Sequence, residues 1–321
     1  MDRRASGALA LDLLARLLRE PARAIDASDV ADWWRRFCAR APGVAPPVDR
    51  AVLGGFLAGG VGFAFAAGYQ AALRALVPSL PAAAIASFCA TEAGGNHPRA
   101  IETRLERRGT GLVLDGAKRW STMGTLASVL LVVASEGEDA GRKRFRLVAV
   151  RAPSPGLEVG SMPPPKFVPE VPHASLALRD VAVADDAVLP GDGYTRYVKP
   201  FRTVEDVHVH AALLGYLVSA ARRLGFPREI VERLAAAVTA TRALAALDPG
   251  APETHVALAG LLADGAALRA DVDRAWAGVE GAERERWERD RAMFGAVAAE
   301  VRERRRRRAW EALESGGRAQ A

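Results

Sequence analysis

Along roughly the first eighty residues the apolar positions recur at helical spacing. Between residues 8 and 20, Leu11, Leu13, Leu14, Leu17 and Leu18 repeat along one face, and Pro21 follows the run. Ser28 stands as an N-cap before a second helix that carries Trp33, Trp34 and Phe37. The stretch from Ala41 to Pro47 is a break. Two further apolar segments, 50–59 and 61–77, are rich in glycine and alanine, which predicts helices packed closely on their neighbours. From Ala83 the period changes to two. A strand-like run ends in Cys89-Ala90-Thr91-Glu92, and 111–118, 126–134, 144–151, 157–160 and 173–182 read as strands. Turns hold Gly94, Gly95, Gly109, Gly141, Pro153 and Pro155. Helical spacing returns at Phe201. Thr203 is the expected N-cap, with Asp206 three residues on, and the helix should run to about Leu224. Further helices are expected over 227–247, 252–279 and 282–313.

The pattern defines an α+β chain: an N-terminal helical module at 1–82, a central small β domain at 83–195 and a C-terminal four-helix bundle at 196–321. With 321 residues, half of them hydrophobic, the chain can bury a large core. No stretch reaches about 18 uninterrupted apolar residues, so a membrane span is not expected. The amino terminus lacks the apolar stretch and cleavage site of a signal peptide. Two cysteines, Cys38 and Cys89, make no disulfide framework, and the cytoplasm is the expected location.

A formal charge of +6 invites a nucleic-acid reading, but arginine is spread throughout the chain. The one dense run, Arg302 and Arg304 to Arg308, lies in a helical pattern. Consecutive residues point all round a helix and form no groove-reading face, so a solvated helix end is expected there and nucleic acid is not an expected partner. The string Glu205-Asp206-Val207-His208-Val209-His210 offers only two-residue pairs at i, i+3 and i, i+4, too few for a metal site. His208 reads as a satisfied helix residue. His97 and His173 show no partner in sequence and are given no role.

The stretch 87–122 holds the candidate chemistry. Alternation along a strand sends Trp120 and Thr122 to one side, where a flat indole beside a hydroxyl suits a planar ring. Gly94 and Gly95 let backbone approach a partner and point N–H groups at an anion such as a pyrophosphate.

Taken in order and spacing, Thr91, Glu92, Gly94, Gly95, Gly116, Lys118, Trp120, Ser121 and Thr122 resemble the acyl-CoA dehydrogenase family of flavoproteins. The stretch 174–183, followed by Ala187-Val188-Leu189-Pro190-Gly191, is similar to that family's last β-domain strand and its exit toward the helices. The resemblance implies FAD as cofactor, with Thr91, Trp120, Ser121 and Thr122 lining the ring and Gly94, Gly95 and Asn96 near the pyrophosphate. It implies an acyl-thioester dehydrogenase, on coenzyme A or a carrier protein, in which a carboxylate removes an α-proton and hydride passes to flavin N5. It also implies an assembly, as a homodimer or with a related subunit. Most members carry the glutamate in a C-terminal Tyr-Glu-Gly segment; a minority carry it ten residues before a glycine in an earlier helix. Glu205, ten residues before Gly215, is therefore the candidate base, with Asp206 after it where the family usually has arginine. The family's Gln-x-x-Gly-Gly-x-Gly and Tyr-Glu-Gly segments are absent from 282–294. That departure leaves a second expectation, a non-catalytic or half-site subunit that pairs with a complete dehydrogenase.

Overall fold

The computed structural model describes residues 12–42, 46–95, 97–294 and 299–318, and its first helix, α1 at 12–19, buries Leu13 and Leu17 while Leu18 faces out. Helix α2 (Val30–Arg40) begins at Asp29 rather than at the adjacent Ser28. The Asp29 carboxylate accepts from Asp32 N, and the Ser28 hydroxyl donates to the same group, so the stronger acceptor takes the cap. Trp33, Trp34 and Phe37 fall on the inner face, with Trp33 stacked on Phe37 at 5.2 Å.

Helices α3 (Pro47–Phe56) and α4 (Val61–Leu76) pack on α5 (Lys199–Arg223) at glycines. A Cβ at Gly55 would lie 1.7 Å from the Ala212 carbonyl oxygen, one at Gly215 2.1 Å from that of Val52, and one at Gly68 2.6 Å from Val209 Cα. The small residues of α3 and α4 therefore permit direct backbone contact.

Helix α5 does not start at Thr203. Its lead-in is a π-helical turn at Tyr194–Val198, capped by Asp192, whose Oδ1 accepts from Tyr194 N, Thr195 N and Thr195 Oγ1. Pro200 suggests a boundary in sequence because it lacks an N–H. The wider i→i+5 turn before it changes which carbonyls need a donor, so the helix passes through. Thr203 is buried instead, with its hydroxyl 3.4 Å from His255 Nε2.

Helices α6 (Arg228–Leu244) and α7 (Pro252–Trp276) follow, but the expected single helix over 282–313 is two: α8 (Ala282–Asp290) and α9 (Ala299–Arg318). The two pieces are pinned separately. Trp287 of α8 stacks on Trp276 at 5.4 Å and donates its Nε1–H to Asp273 of α7. Arg302 and Arg305 of α9, three apart, turn inward and donate to the buried Asp206 of α5 at 2.8 and 3.4 Å. The arginine run is thus a solvated face at Arg304, Arg306, Arg307 and Arg308, with Arg302 and Arg305 departing from that expectation. Only part of it faces out, where Arg304, Arg306 and Arg307 pair with Glu300, Glu303 and Glu311.

These helices form one unit, residues up to Ala75 with Thr203 onward; Leu76–Arg202 form a second. No helix among the described residues is long and apolar enough to cross a membrane.

The second unit is a seven-stranded sheet: β1 (Ala86–Cys89), β2 (Arg104–Arg108), β3 (Gly111–Thr122), β4 (Val129–Asp139), β5 (Arg142–Arg151), β6 (Leu157–Ser161) and β7 (His173–Val183). The order is β1-β4-β2-β3-β7-β6, with β5 on β4. Leu105, Leu112, Leu114, Leu130, Val132, Leu176 and Leu178 form its core. The α+β class expected from the periodicity is the one observed.

One buried ion pair ties the strands around the glycine turn together. Lys118 of β3 is fully buried, and its Nζ lies 2.6 Å from Glu92 Oε1 at the end of β1. The carboxylate also accepts from Thr103 Oγ1 (2.8 Å), Thr103 N (3.1 Å) and Glu102 N (2.8 Å). Gly116, at φ 149°, lets Thr103 come this close, since a Cβ there would lie 2.5 Å from Thr103 Oγ1. Burial alone would raise the Glu92 carboxyl, but the Lys118 charge and these donors hold it below the ordinary 4.5. Burial pulls Lys118 below the ordinary lysine value, against the pull of Glu92.

Gly215→Ala should cost at least the roughly 1–3 kcal/mol typical of overpacking, because a carbonyl cannot rotate out of the way. Gly260→Ala, exposed in α7 with no atom near the new methyl, should instead add about 0.5–1 kcal/mol; urea unfolding reads both. Lys118→Met should cost about 3–5 kcal/mol by leaving Glu92 unpaired, and Glu92→Gln in the same chain should recover much of it. Because Glu92 is held below 4.5, the stability it contributes is complete above that pH and is lost as pH falls through its folded value. That acid-side loss should shrink in Glu92→Gln when unfolding midpoints are followed from neutral pH downward.

Candidate functional site

The candidate site is built on an irregularity in β3. Lys118 pairs with Leu176 of β7 and Ser121 with Ala174, so β3 carries one extra residue between those pairs. This β-bulge keeps Lys118 and Ser121 inward while Arg119 and Trp120 both face out. Plain alternation would have put Trp120 on the side of Lys118. Beyond the bulge alternation resumes, so Trp120 and Thr122 share the outer side as expected, for a reason that alternation alone does not supply. Trp120 sits at φ 57°, a left-handed conformation that costs a bulky residue about 1–2 kcal/mol. The bulge N–H groups, released from the ladder, find other acceptors: Arg119 N donates to Thr91 O at 2.8 Å, and Trp120 N to Met162 Sδ at 3.1 Å.

On that outer side the Trp120 indole is half exposed, at 50%. Thr122 pairs with His173 across the β3–β7 ladder, and Thr122 Oγ1 lies 3.2 Å from His173 Nε2. The His173 ring meets Trp120 edge-on, with centroids 6.2 Å apart and planes at 70°. Burial lowers the imidazole below the ordinary histidine value, with the Val171 backbone acting in the opposite direction, so at neutral pH the imidazole itself is uncharged. An exposed indole, a hydroxyl and a neutral imidazole edge together fit a planar aromatic ligand.

The remaining residues divide. Ser121 points inward, 1% exposed and beside the Cys89 thiol, so only its backbone borders the outer face. Thr91 supplies the carbonyl that anchors the bulge. Glu92 and Gly95 close a tight turn through mutual backbone hydrogen bonds of 2.9 and 3.0 Å, so the Gly95 N–H is already spent. Gly94 packs on Ala100, and Gly95, at φ 100°, borders open space. Asn96 lies outside the described residues. His97 caps a short 3-10 turn by accepting from Arg99 N.

Glu205 lies in the other unit, buried as the seventh residue of α5 rather than in the first turn that a cap at Thr203 would have given it. Gly215 is explained by its contact with Val52, so its spacing from Glu205 has a packing reason of its own. Asp206 is the counter-ion of Arg302 and Arg305. His208 donates from Nδ1 to the Val204 carbonyl at 2.7 Å, and burial lowers it to about 4. His210 is likewise lowered to about 4, first by burial and then by the charge of Arg302.

Sequence reasoning missed His173 because its partners lie 51 residues away. Only the β3–β7 register would have paired it with Thr122.

Comparison with known proteins adds to this geometry. Residues 87–181 match the family description "Acyl-CoA dehydrogenase, middle domain". The mitochondrial short/branched chain specific acyl-CoA dehydrogenase of Rattus norvegicus is 27% identical over 121 residues, which is 37% of this chain and 28% of that enzyme. The matched sequence therefore spans under a third of that relative's length. Among solved structures, a glutaryl-CoA dehydrogenase from Mycobacterium smegmatis in complex with FADH2 has a TM-score of 0.62 at 15% identity, covering 92% of this chain and 90% of its own. FkbI, a protein for biosynthesis of the methoxymalonyl extender unit of the Fk520 polyketide immunosuppressant, has a TM-score of 0.64 at 20% identity, covering 98% and 99%. At these identities the likeness is one of fold. Residues 87–181 are thus similar in sequence to the acyl-CoA dehydrogenase middle domain, and the chain shares its fold with the glutaryl-CoA dehydrogenase structure.

Proposed function

We propose that the chain is an FAD-dependent acyl-thioester oxidoreductase acting on an acyl group carried by coenzyme A or by a carrier protein. The observation that carries this reading is the half-exposed Trp120 beside Thr122, held out from the sheet by a bulge whose backbone donors are all accounted for. Such a surface is preformed for a flat ring, and rigid aromatic contacts lose little freedom on binding. Trp120 and Thr122 would hold the ring, with the Thr91 end of β1 and the Ser121 backbone bordering it. Gly94 and Gly95 would lie toward the phosphates, where Gly95 gives open approach. When bound, the flavin would supply the hydride acceptor that no side chain provides. Glu205 is our candidate for the carboxylate that removes the substrate α-proton; its burial in α5 and its match to the minority family pattern support the assignment. The chain would work in the cytoplasm, a reading supported by its two free thiols, Cys38 and Cys89, and as a homodimer.

A second reading is favoured by one feature. Where the family carries glycine-rich and Tyr-Glu-Gly segments, this chain has α8, committed to packing through the buried Trp287 and Asp290. A half-site subunit paired with a complete dehydrogenase would need neither segment.

The purified full chain should show flavin absorption bands after FAD is added and unbound cofactor removed; a colourless protein sinks the first reading. Trp120→Ala should shift or lose those bands. Glu205→Gln should keep the bands while losing substrate bleaching by at least about 100-fold, as expected for a general base. Undiminished bleaching removes Glu205 from the reaction. Light scattering decides between readings, since a clean homo-oligomer excludes an obligate heteromer.

A further inference from the structure

Among the described residues, His173 is the side chain that touches both Trp120 and Thr122 on the outer face of β3. Its Nε2 lies 3.2 Å from Thr122 Oγ1 and its ring edges the Trp120 indole. Its backbone closes the same circuit. The His173 carbonyl accepts from Met162 N at 3.0 Å, Met162 Sδ accepts from Trp120 N, and the neighbouring Pro172 carbonyl accepts from Met123 N at 2.7 Å. Trp120, Met162 and His173 therefore form a closed ring of contacts, Thr122 joins it through His173, and the imidazole is the member that connects the indole to the hydroxyl.

A threonine hydroxyl on a strand has several staggered positions open to it, and a half-exposed indole has freedom about two torsions. A ligand that needs both in one arrangement must otherwise order them itself. We infer that His173 is a positioning residue: it fixes the Thr122 hydroxyl and the Trp120 ring edge in advance, so that the two present one surface to a planar aromatic ligand. The inference rests on the flavin reading for the identity of that ligand, but the pre-ordering is a property of the chain alone. A neutral imidazole serves this role without placing a charge against the ring.

The test uses the full chain with His173→Leu, which removes the hydrogen bond, and His173→Gln, whose amide can reach Thr122. FAD affinity is read from titration of its visible bands. The emission of Trp120 is isolated by subtracting the matching Trp120→Phe protein in each background. His173→Leu should bind FAD roughly three- to tenfold more weakly, the loss expected for one hydrogen bond, and should displace the Trp120 emission; His173→Gln should restore both. Wild-type affinity and unchanged Trp120 emission in His173→Leu would overturn the inference, as would failure of glutamine to restore either. If the wild-type chain binds no FAD, the flavin reading falls by itself, and Trp120 emission with its rescue by glutamine decides the role of His173. Should His173→Leu not fold, His173→Asn, polar but too short to reach Thr122, takes its place with the same expected outcomes.

Discussion

The buried pair of Glu92 and Lys118 is the interaction on which the second unit's candidate site depends. Two charges taken out of water are costly unless each is answered, and here the carboxylate collects the ammonium, two backbone N–H groups and the Thr103 hydroxyl. The pair joins the end of β1 to β3 two residues before Trp120, so the position of the indole is referred to a point that cannot slide. Gly116 belongs to the same arrangement, because only a residue without a side chain leaves Thr103 room to reach the carboxylate.

A second constraint governs the helices. Backbone contact at Gly55, Gly68 and Gly215 leaves α5 no freedom to shift against α3 and α4, and the residues of α5 are therefore held in register along its length. Asp206 adds a charged tether to α9 through Arg302 and Arg305. Glu205 sits at the N-terminal edge of this tightly held stretch. Its neighbours are committed to structure: Asp206 to two arginines and His208 to the backbone of Val204.

The site and the scaffold thus use different devices. The outer face of β3 rests on a bulge, a left-handed tryptophan and a histidine from the paired strand β7; the left-handed tryptophan costs local stability and is offset by the sheet around it. The helices rest on small residues and a few buried charges. A family resemblance carried by the motif around Trp120 is consistent with this division, since the motif residues either build the Glu92–Lys118 anchor or line the face it supports.

Much of the fold was legible in the sequence, because period two and period 3.6 are properties of the local chain. The strands from Gly111 to Val183 and the helices on either side followed from alternation, glycine and proline. The grouping of Trp120 with Thr122 and the close packing of the glycine-rich helices were also legible, since both depend on near neighbours or on side-chain size. What tertiary structure alone decided were the long-range pairings. The cap of α5 fell to Asp192 because a π turn carried the helix past Pro200, and two arginines of the run, Arg302 and Arg305, turned inward because Asp206 waited on another helix. Trp120 faces out because β7 offers one residue fewer than β3 across the bulge, and His173 joins it through register. Periodicity records which way a residue points along its own segment; it holds no record of which distant residue it will meet, and a buried charge or a bulge is settled only when that partner arrives.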